Sequence, residues 1–283
     1  MNSKPKHRSG YSAPETDLVR SACLTIAVTL GGYLNEMVIV GGLVPTLLID
    51  LKQGRVGDAE DLHAGTNDLD LGLSLALLDD QRYEEVSQRL RDEGFEPSKN
   101  QAGNLTVQRW QGSGLLIDFL MPPTSPDQRG GSVQNLESDF GALITPGLEL
   151  AFDDRVFIDL SGTTLGGDPV SRQIPVCGSS AFVVLKALAF DGRGEEKDAY
   201  DLVYVLRNEV GGAEAVAQCL NSYMPVHANV IDKAKQILNR DFADMSQIGP
   251  RRAARFEYEE PTGIDNASAD AHGFVTDFLM TLN

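Results

Sequence analysis

Asp68 and Asp70 stand two residues apart in residues 65–73, a spacing that can place two carboxylates side by side. Strand side chains alternate between two faces, so both acids would share one face and Leu69 and Leu71 the other. Neighbouring carboxylates repel each other unless a cation lies between them. Because Mg²⁺ takes carboxylate oxygens together with substrate phosphates, the pair is a candidate metal site. A solvated turn is the alternative interpretation.

A pair of glycines lies between a predicted strand and a predicted helix upstream of these acids. Residues 37–40 are apolar and β-branched, which predicts a buried strand. Residues 43–51 predict a helix with Pro45 in its first turn. Gly41 and Gly42 would let backbone N–H groups approach an anion at the start of that helix. The alternative is a tight turn without a ligand.

A third acid, Asp118, interrupts an apolar run at residues 114–120 that predicts a buried strand. An unpaired charge there would be costly, so Asp118 needs a partner or a metal. A solvated strand end is the alternative. Arg109, in the predicted strand 104–110, could face the same site, but the sequence does not fix its direction. Trp110 beside it is predicted to be a core residue.

A second group of charged residues lies on two predicted helices. Lys186 sits inside an apolar helical run, so it must either reach solvent or meet an anion. Asp198 and Asp201 lie three residues apart on the next helix and share a face. Either acid could orient Lys186 or Lys197 through an ion pair. The alternatives are a solvent-facing lysine and a surface pair of acids.

The order Gly-Gly, Asp-x-Asp and a later single Asp resembles the polymerase-β-like nucleotidyltransferase superfamily. Within it, the chain looks like the AbiEii/AbiGii toxin family of bacterial toxin–antitoxin and abortive-infection systems, including the MenT type. The resemblance spans roughly residues 30–210 and is carried by residues 66–71, 81–93, 116–119, Lys186 and 196–202.

The resemblance implies an α/β fold, with a mixed sheet flanked by helices and a C-terminal helical lobe that completes the active site. It implies transfer of a nucleoside monophosphate from an NTP to an acceptor hydroxyl, with Mg²⁺ or Mn²⁺ as cofactor. The residues carried over are the metal ligands Asp68, Asp70 and Asp118, the nucleotide contacts Gly41, Gly42, Thr66, Lys186 and Lys197, and the catalytic residues, which are the same three acids together with Lys186 and Asp198.

The resemblance also implies partners, namely the 3′ end of tRNA as acceptor and a cognate antitoxin. A protein hydroxyl, a small-molecule acceptor and a non-catalytic protein that binds a nucleotide or a partner remain open. Two departures from the family concern the glycine motif. Gly42 stands where many members have serine, and residues 51–65 form a polar insertion predicted to lie beside the site.

Composition bounds these interpretations. The net charge of −17 argues against broad non-specific binding to nucleic acids, although basic clusters at residues 4–8 and 251–255 leave a local RNA contact open. The three cysteines lack metal or disulfide spacing, which favours a reducing cytoplasm. Residues 1–12 carry no signal-peptide pattern. The apolar stretch 22–51 is interrupted by glycine pairs, so it predicts core elements and no membrane partner.

Three regions are predicted along the chain. Residues 1–14 form a disordered tail, 15–177 the nucleotidyltransferase domain, and 178–283 the helical lobe. His63 and His272 have no ligand spacing and are predicted to be surface residues. The predicted elements are helices at 15–30, 81–93, 179–190 and 195–209, strands at 37–40, 67–75, 104–110 and 114–120, further strands within 147–177, and helices after 209.

Overall fold

The structure is a computed structural model that describes residues 5–55, 62–74, 80–100 and 102–283. It divides into two compact units. The sheet unit comprises residues 13–44 and 65–177, and the helical unit comprises residues 1–12, 45–64 and 178–283. Residues 45–55 and 62–64, which the sequence placed in the first domain, therefore belong to the helical unit. Residues 56–61 of the predicted insertion and Lys4 lie outside the described residues.

The sheet unit is built on a mixed sheet with strand order β3-β4-β5-β2-β1-β9-β8, and β7 pairs with β5 and β6. β2 runs parallel to β5 and antiparallel to β1. The predicted mixed sheet flanked by helices is thereby confirmed. The strands are β1 Met37–Val40, β2 Asp68–Leu73, β3 Glu96–Lys99, β4 Leu105–Gly112, β5 Leu115–Met121, β6 Val133–Asn135, β7 Gly141–Ile144, β8 Arg155–Thr163 and β9 Pro169–Cys177.

Three α-helices belong to the sheet unit within its described residues: α1 Ala13–Leu30, α2 Asp80–Asp92 and α3 Leu148–Asp153. A 3₁₀ helix, Gly31–Glu36, continues directly from α1. Helix α2 ends before Gly94, whose φ of 82° is the left-handed conformation that terminates helices. Among the described residues, one helical stretch, Ala13–Glu36, has the length and apolar composition of a membrane span, and half of its most apolar window is buried within the protein.

The region 147–177 differs in part from its prediction as strands. Residues Leu148–Asp153 form α3, which begins after Gly147 at a φ of 86°. Leu148 and Ala151 are one helical turn apart and fully buried, so the segment buries a helical face and no strand face. β8 and β9 follow as predicted. Strands β3, β6 and β7 were missed because they are short and, for β3 and β6, polar.

Pairing between β2 and β5 fixes both faces of the central strands. Leu69 pairs with Ile117 and Leu71 with Phe119, and all four are fully buried. This apolar face anchors the two strands, because burying such side chains contributes about 1.5–3 kcal/mol each. The acids at the intervening positions lie on the opposite face, as the alternation predicted.

The helical unit contains α4 Ser179–Arg193, α5 Glu196–Asn208, α6 Gly212–Asn221, α7 Met224–Asp241, α8 Ile248–Glu257 and α9 Pro261–Thr281. The helix predicted at residues 43–51 is confirmed, although the sequence did not specify its type. Gly41–Leu43 is a 3₁₀ turn and Thr46–Leu51 is a π-helix. Asp50 lies in this π-helix, and its side chain points inward. Its carboxylate accepts hydrogen bonds from the His63 backbone N–H at 3.0 Å and from the Tyr204 hydroxyl at 2.6 Å.

The described part of the predicted disordered tail is ordered here. Arg8–Gly10 forms a 3₁₀ turn, and α1 already begins at Ala13. His7 Nδ1 bonds the Arg255 carbonyl at 3.0 Å, and Arg8 donates to the Leu62 carbonyl at 2.5 Å. The prediction overlooked these partners because they lie far away in the sequence.

Candidate metal centre

Asp68, Asp70 and Asp118 come together on one face of the central sheet. Asp70 pairs directly with Asp118 across β2 and β5, and Asp68 lies two residues before Asp70. One oxygen from each carboxylate lies within 4.8 Å of the others. Asp68 is buried, and the other two are partly exposed. Adjacent parallel strands thus place three carboxylates where one ion can contact them all.

The Gly41 backbone lies directly against Asp70. Val40 pairs with Asp70 across β1 and β2, and Gly41 follows with a φ of 71°. A Cβ atom at this position would lie 1.8 Å from Asp70 Oδ2. Only glycine permits this approach, since any side chain would displace the carboxylate. Gly42 is buried in the same turn.

We expect Gly41→Ala to lower any activity that depends on the three acids at least about 100-fold, because a misplacement near 1 Å costs a site about that much. Gly131→Ala is the matched control, since Gly131 also has a positive φ, of 81°, but a Cβ there meets nothing within 4 Å. Both variants share the backbone strain, so comparing their thermal unfolding and activity isolates the contact with Asp70. Equal activity in the two variants would contradict the assigned role.

Thr66 holds one of the carboxylates. Its hydroxyl donates to Asp68 Oδ1 at 2.8 Å, and its own backbone N–H donates to the Thr16 hydroxyl at 3.3 Å. The side chain is 3% exposed. Thr66 therefore orients Asp68 in this structure, and its predicted contact with nucleotide phosphates stays a prediction.

Asp118 has the partner that its position in an apolar strand demanded. Arg109 pairs with it across β4 and β5, and its guanidinium donates to both carboxylate oxygens at 2.5 Å. The hydrogen bonds to Asp118 raise the pKa of Arg109, and the charges of Asp68 and Asp70 add to this effect. Trp110, on the opposite face, is fully buried, as predicted.

The donor set fits a hard divalent cation. All three groups are carboxylates, and oxygen ligands of this kind suit Mg²⁺ and Mn²⁺. The guanidinium already drawn to Asp118 shows that the cluster attracts positive charge. The cluster is thus compatible with a magnesium ion.

The remaining predicted residues form a separate buried network within the helical unit. Lys186 Nζ lies 3.0 Å from Asp198 Oδ1 and 2.6 Å from Asp201 Oδ2. Lys197 contacts Asp201 at 2.7 Å, and Arg193 donates to both oxygens of Asp198 at 2.7 Å. The predicted ion pairs are confirmed. Because both lysine ammonium groups contact carboxylates here, their roles as phosphate contacts stay predictions.

Electrostatics keep this network charged. Burial opposes the ammonium form of Lys186, but the carboxylates of Asp201 and Asp198 outweigh burial and raise its pKa. Burial likewise opposes the ionised form of Asp201, yet Lys186 and Lys197 hold its pKa well below the ordinary value. For Asp198, Lys186 and Arg193 outweigh burial and lower the pKa. Charge compensation therefore dominates desolvation at each group.

His63 is a member of this network that the sequence placed wrongly at the surface. Its Nε2 lies 2.8 Å from Asp201 Oδ1, and its ring packs against Tyr200 and Tyr204. Burial, with Lys197 nearby, lowers the His63 pKa to about 4. The imidazole is thus neutral near pH 7, and its Nε2–H donates to the ionised Asp201. The partly buried His272 also has a partner, the Phe242 carbonyl at 2.8 Å.

We expect His63 to make the protein less stable as the pH falls from 6.5 to about 4. The lowered pKa means that the unfolded chain binds a proton in this window while the folded protein does not, so acid favours unfolding. A pKa of about 4 against 6.5 corresponds to about 3 kcal/mol. Urea unfolding across this window should show a flatter pH profile for His63→Asn, whereas the control His227→Asn should keep the wild-type slope. Identical slopes for all three proteins would contradict a buried neutral His63.

The structure thus groups the predicted residues by unit. Gly41, Thr66 and the three acids meet in the sheet unit, while Lys186, Lys197 and Asp198 meet in the helical unit. Arg109 contacts the acids of the sheet unit and His63 contacts Asp201 of the helical unit, although the sequence assigned neither residue to a site. No protein-family model matches the chain, and no curated protein matches it in sequence.

Proposed function

We propose that the protein is a Mg²⁺-dependent nucleotidyltransferase that transfers a nucleoside monophosphate from an NTP to an acceptor hydroxyl. The observation that carries the proposal is the cluster of Asp68, Asp70 and Asp118 on adjacent strands, with one oxygen of each within 4.8 Å of the others. Three carboxylates held together in a metal-free protein are costly, and the cost is explained if they serve to hold divalent cations.

The chain's own residues would prepare this site. Asp68, fixed by the Thr66 hydroxyl, and Asp70, fixed against Gly41, present oxygens from one strand, and Asp118 presents its own from the next. Bound divalent cations would supply charge stabilisation for the transferring phosphoryl group and lower the pKa of the acceptor hydroxyl. The apolar face beneath the acids, with Leu69 and Ile117, keeps both strands in register.

The acceptor is proposed from the resemblance, which implies the 3′ end of tRNA and a toxin role with a cognate antitoxin. Because the net charge of the chain is −17, any contact with RNA must be made by a local cluster of basic residues. A protein hydroxyl and a small molecule use the same chemistry and are distinguished by experiment.

A labelling assay tests the proposal. Purified protein would be incubated with each α-labelled NTP, Mg²⁺, bacterial RNA and cell extract, beside Asp68→Ala/Asp70→Ala. We expect label in a tRNA-sized band that is absent from the double variant. Label in a polypeptide band would support transfer but overturn the RNA acceptor. Absence of label from RNA, protein and small-molecule fractions, with a folded protein, would overturn the proposal.

A further inference from the structure

Arg109 lies in the same row of the sheet as two of the three acids. β4 pairs Arg109 with Asp118, and β5 pairs Asp118 with Asp70. Residues paired directly across neighbouring strands share a face, so the guanidinium and both carboxylates face the same side. The Arg109 side chain is 31% exposed and that of Asp118 is 16% exposed. Arg109 is thus at the rim of the acidic cluster and reachable by solvent.

Asp118 is the one hydrogen-bond partner of the guanidinium within the described part of the chain. The contact compensates the charge of Asp118 in its apolar strand, but that role alone does not explain why the guanidinium lies beside two further acids. The negative charge of the acidic cluster explains the position of Arg109. Three carboxylates carry a formal charge of minus three, and Arg109 reduces the local total to minus two.

We propose that Arg109 is the resting counter-ion of the acidic cluster and competes with a divalent cation for Asp118. The inference rests on the proposed function, because it assigns a role to Arg109 at that metal centre. The two parallel N–H···O bonds occupy both Asp118 oxygens and hold a positive charge at the cluster. A dication must therefore either displace the guanidinium or bind against its repulsion. Through its contact with Asp118, Arg109 weakens the binding of free divalent cations to the acidic cluster.

The test measures Mn²⁺ affinity at pH 8 by the electron paramagnetic resonance signal of free Mn²⁺. We expect Arg109→Gln to bind Mn²⁺ at least tenfold more tightly than wild type. Arg109→Lys keeps the charge but not the two-pronged contact, so it should fall between the two. Arg172→Gln, an equal charge change at an exposed position of β9, should match wild type. A purely structural Arg109 would instead leave Asp118 unsupported and weaken Mn²⁺ binding.

The outcomes separate the two proposals. Suppose that wild type binds Mn²⁺ and Asp70→Asn does not. A folded Arg109→Gln or Arg109→Lys that then binds Mn²⁺ no more tightly than wild type overturns the role of Arg109 alone. Binding that is the same in wild type and Asp70→Asn, or absent from every protein, overturns the metal centre and the role of Arg109 with it. Circular dichroism establishes which variants are folded. If Arg109→Gln is not folded, the comparison of Arg109→Lys with wild type decides the test.

Discussion

Asp70→Asn should abolish the proposed nucleotidyl transfer and at the same time stabilise the protein in the absence of divalent cations. Asparagine keeps the shape of the side chain beside Gly41 but loses the charge that a divalent cation requires. Losing several kcal/mol of charge stabilisation in the transition state corresponds to a fall of about 1,000-fold or more in rate. In EDTA, removing one of three clustered carboxylates relieves repulsion, and we expect the melting temperature to rise by about 2 °C.

The measurement is thermal unfolding with and without Mg²⁺, alongside the transfer rate. Asp159→Asn, an exposed acid on β8, is the control and should leave both quantities unchanged. Transfer within tenfold of wild type in Asp70→Asn would contradict the assignment of the metal centre. A lower melting temperature in EDTA would show that Asp70 stabilises the fold through contacts that its amide cannot replace.

Lys186→Met should strongly destabilise the helical unit. It leaves Asp201, which is fully buried, and Asp198, which is 1% exposed, without their shared ammonium group. Removing one partner of a buried charge network costs about 3–5 kcal/mol. For a protein of this size, that loss corresponds to a melting temperature lower by roughly 10 °C.

A second substitution shows whether the loss of charge compensation is the cause. Asp201→Asn in the Lys186→Met background removes the fully buried carboxylate that lost its 2.6 Å partner and leaves Asp198 paired with Arg193, so the double variant should be more stable in urea than Lys186→Met alone. Lys233→Met, at an exposed position of α7, should unfold like wild type. A double variant that is no more stable than Lys186→Met would point to lost packing as the cause.

Local rules predicted two parts of the acidic cluster, whereas the meeting of Asp118 with the other two acids was expected from the family resemblance, because it depends on the pairing of β2 with β5. The period of two in a strand puts Asp68 and Asp70 on one face, and an acid in an apolar strand had to find a partner. The Arg109 contact, whose direction the sequence left open, follows from the turn at Ser113 and Gly114, which both have positive φ in the structure. A two-residue hairpin turn pairs Gly112 with Leu115, and three steps further pairs Arg109 with Asp118.

Residues whose partners are distant in sequence could not be predicted in this way. His63 is buried because it meets Asp201, which lies 138 residues later, and no local pattern around His63 indicates that contact. The π-helix Thr46–Leu51 is similar, since Asp50 turns inward to Tyr204, 154 residues away. Apolar periodicity predicts that a segment is helical, but the type of helix depends on such tertiary contacts.

The most direct test of the metal centre is an anomalous difference map from a crystal soaked in Mn²⁺. We expect a peak within bonding distance of the carboxylate oxygens of Asp68 and Asp70, and none at this position in an Asp70→Asn crystal. Mn²⁺ bound elsewhere, with the three carboxylates empty and Arg109 still on Asp118, would contradict this expectation.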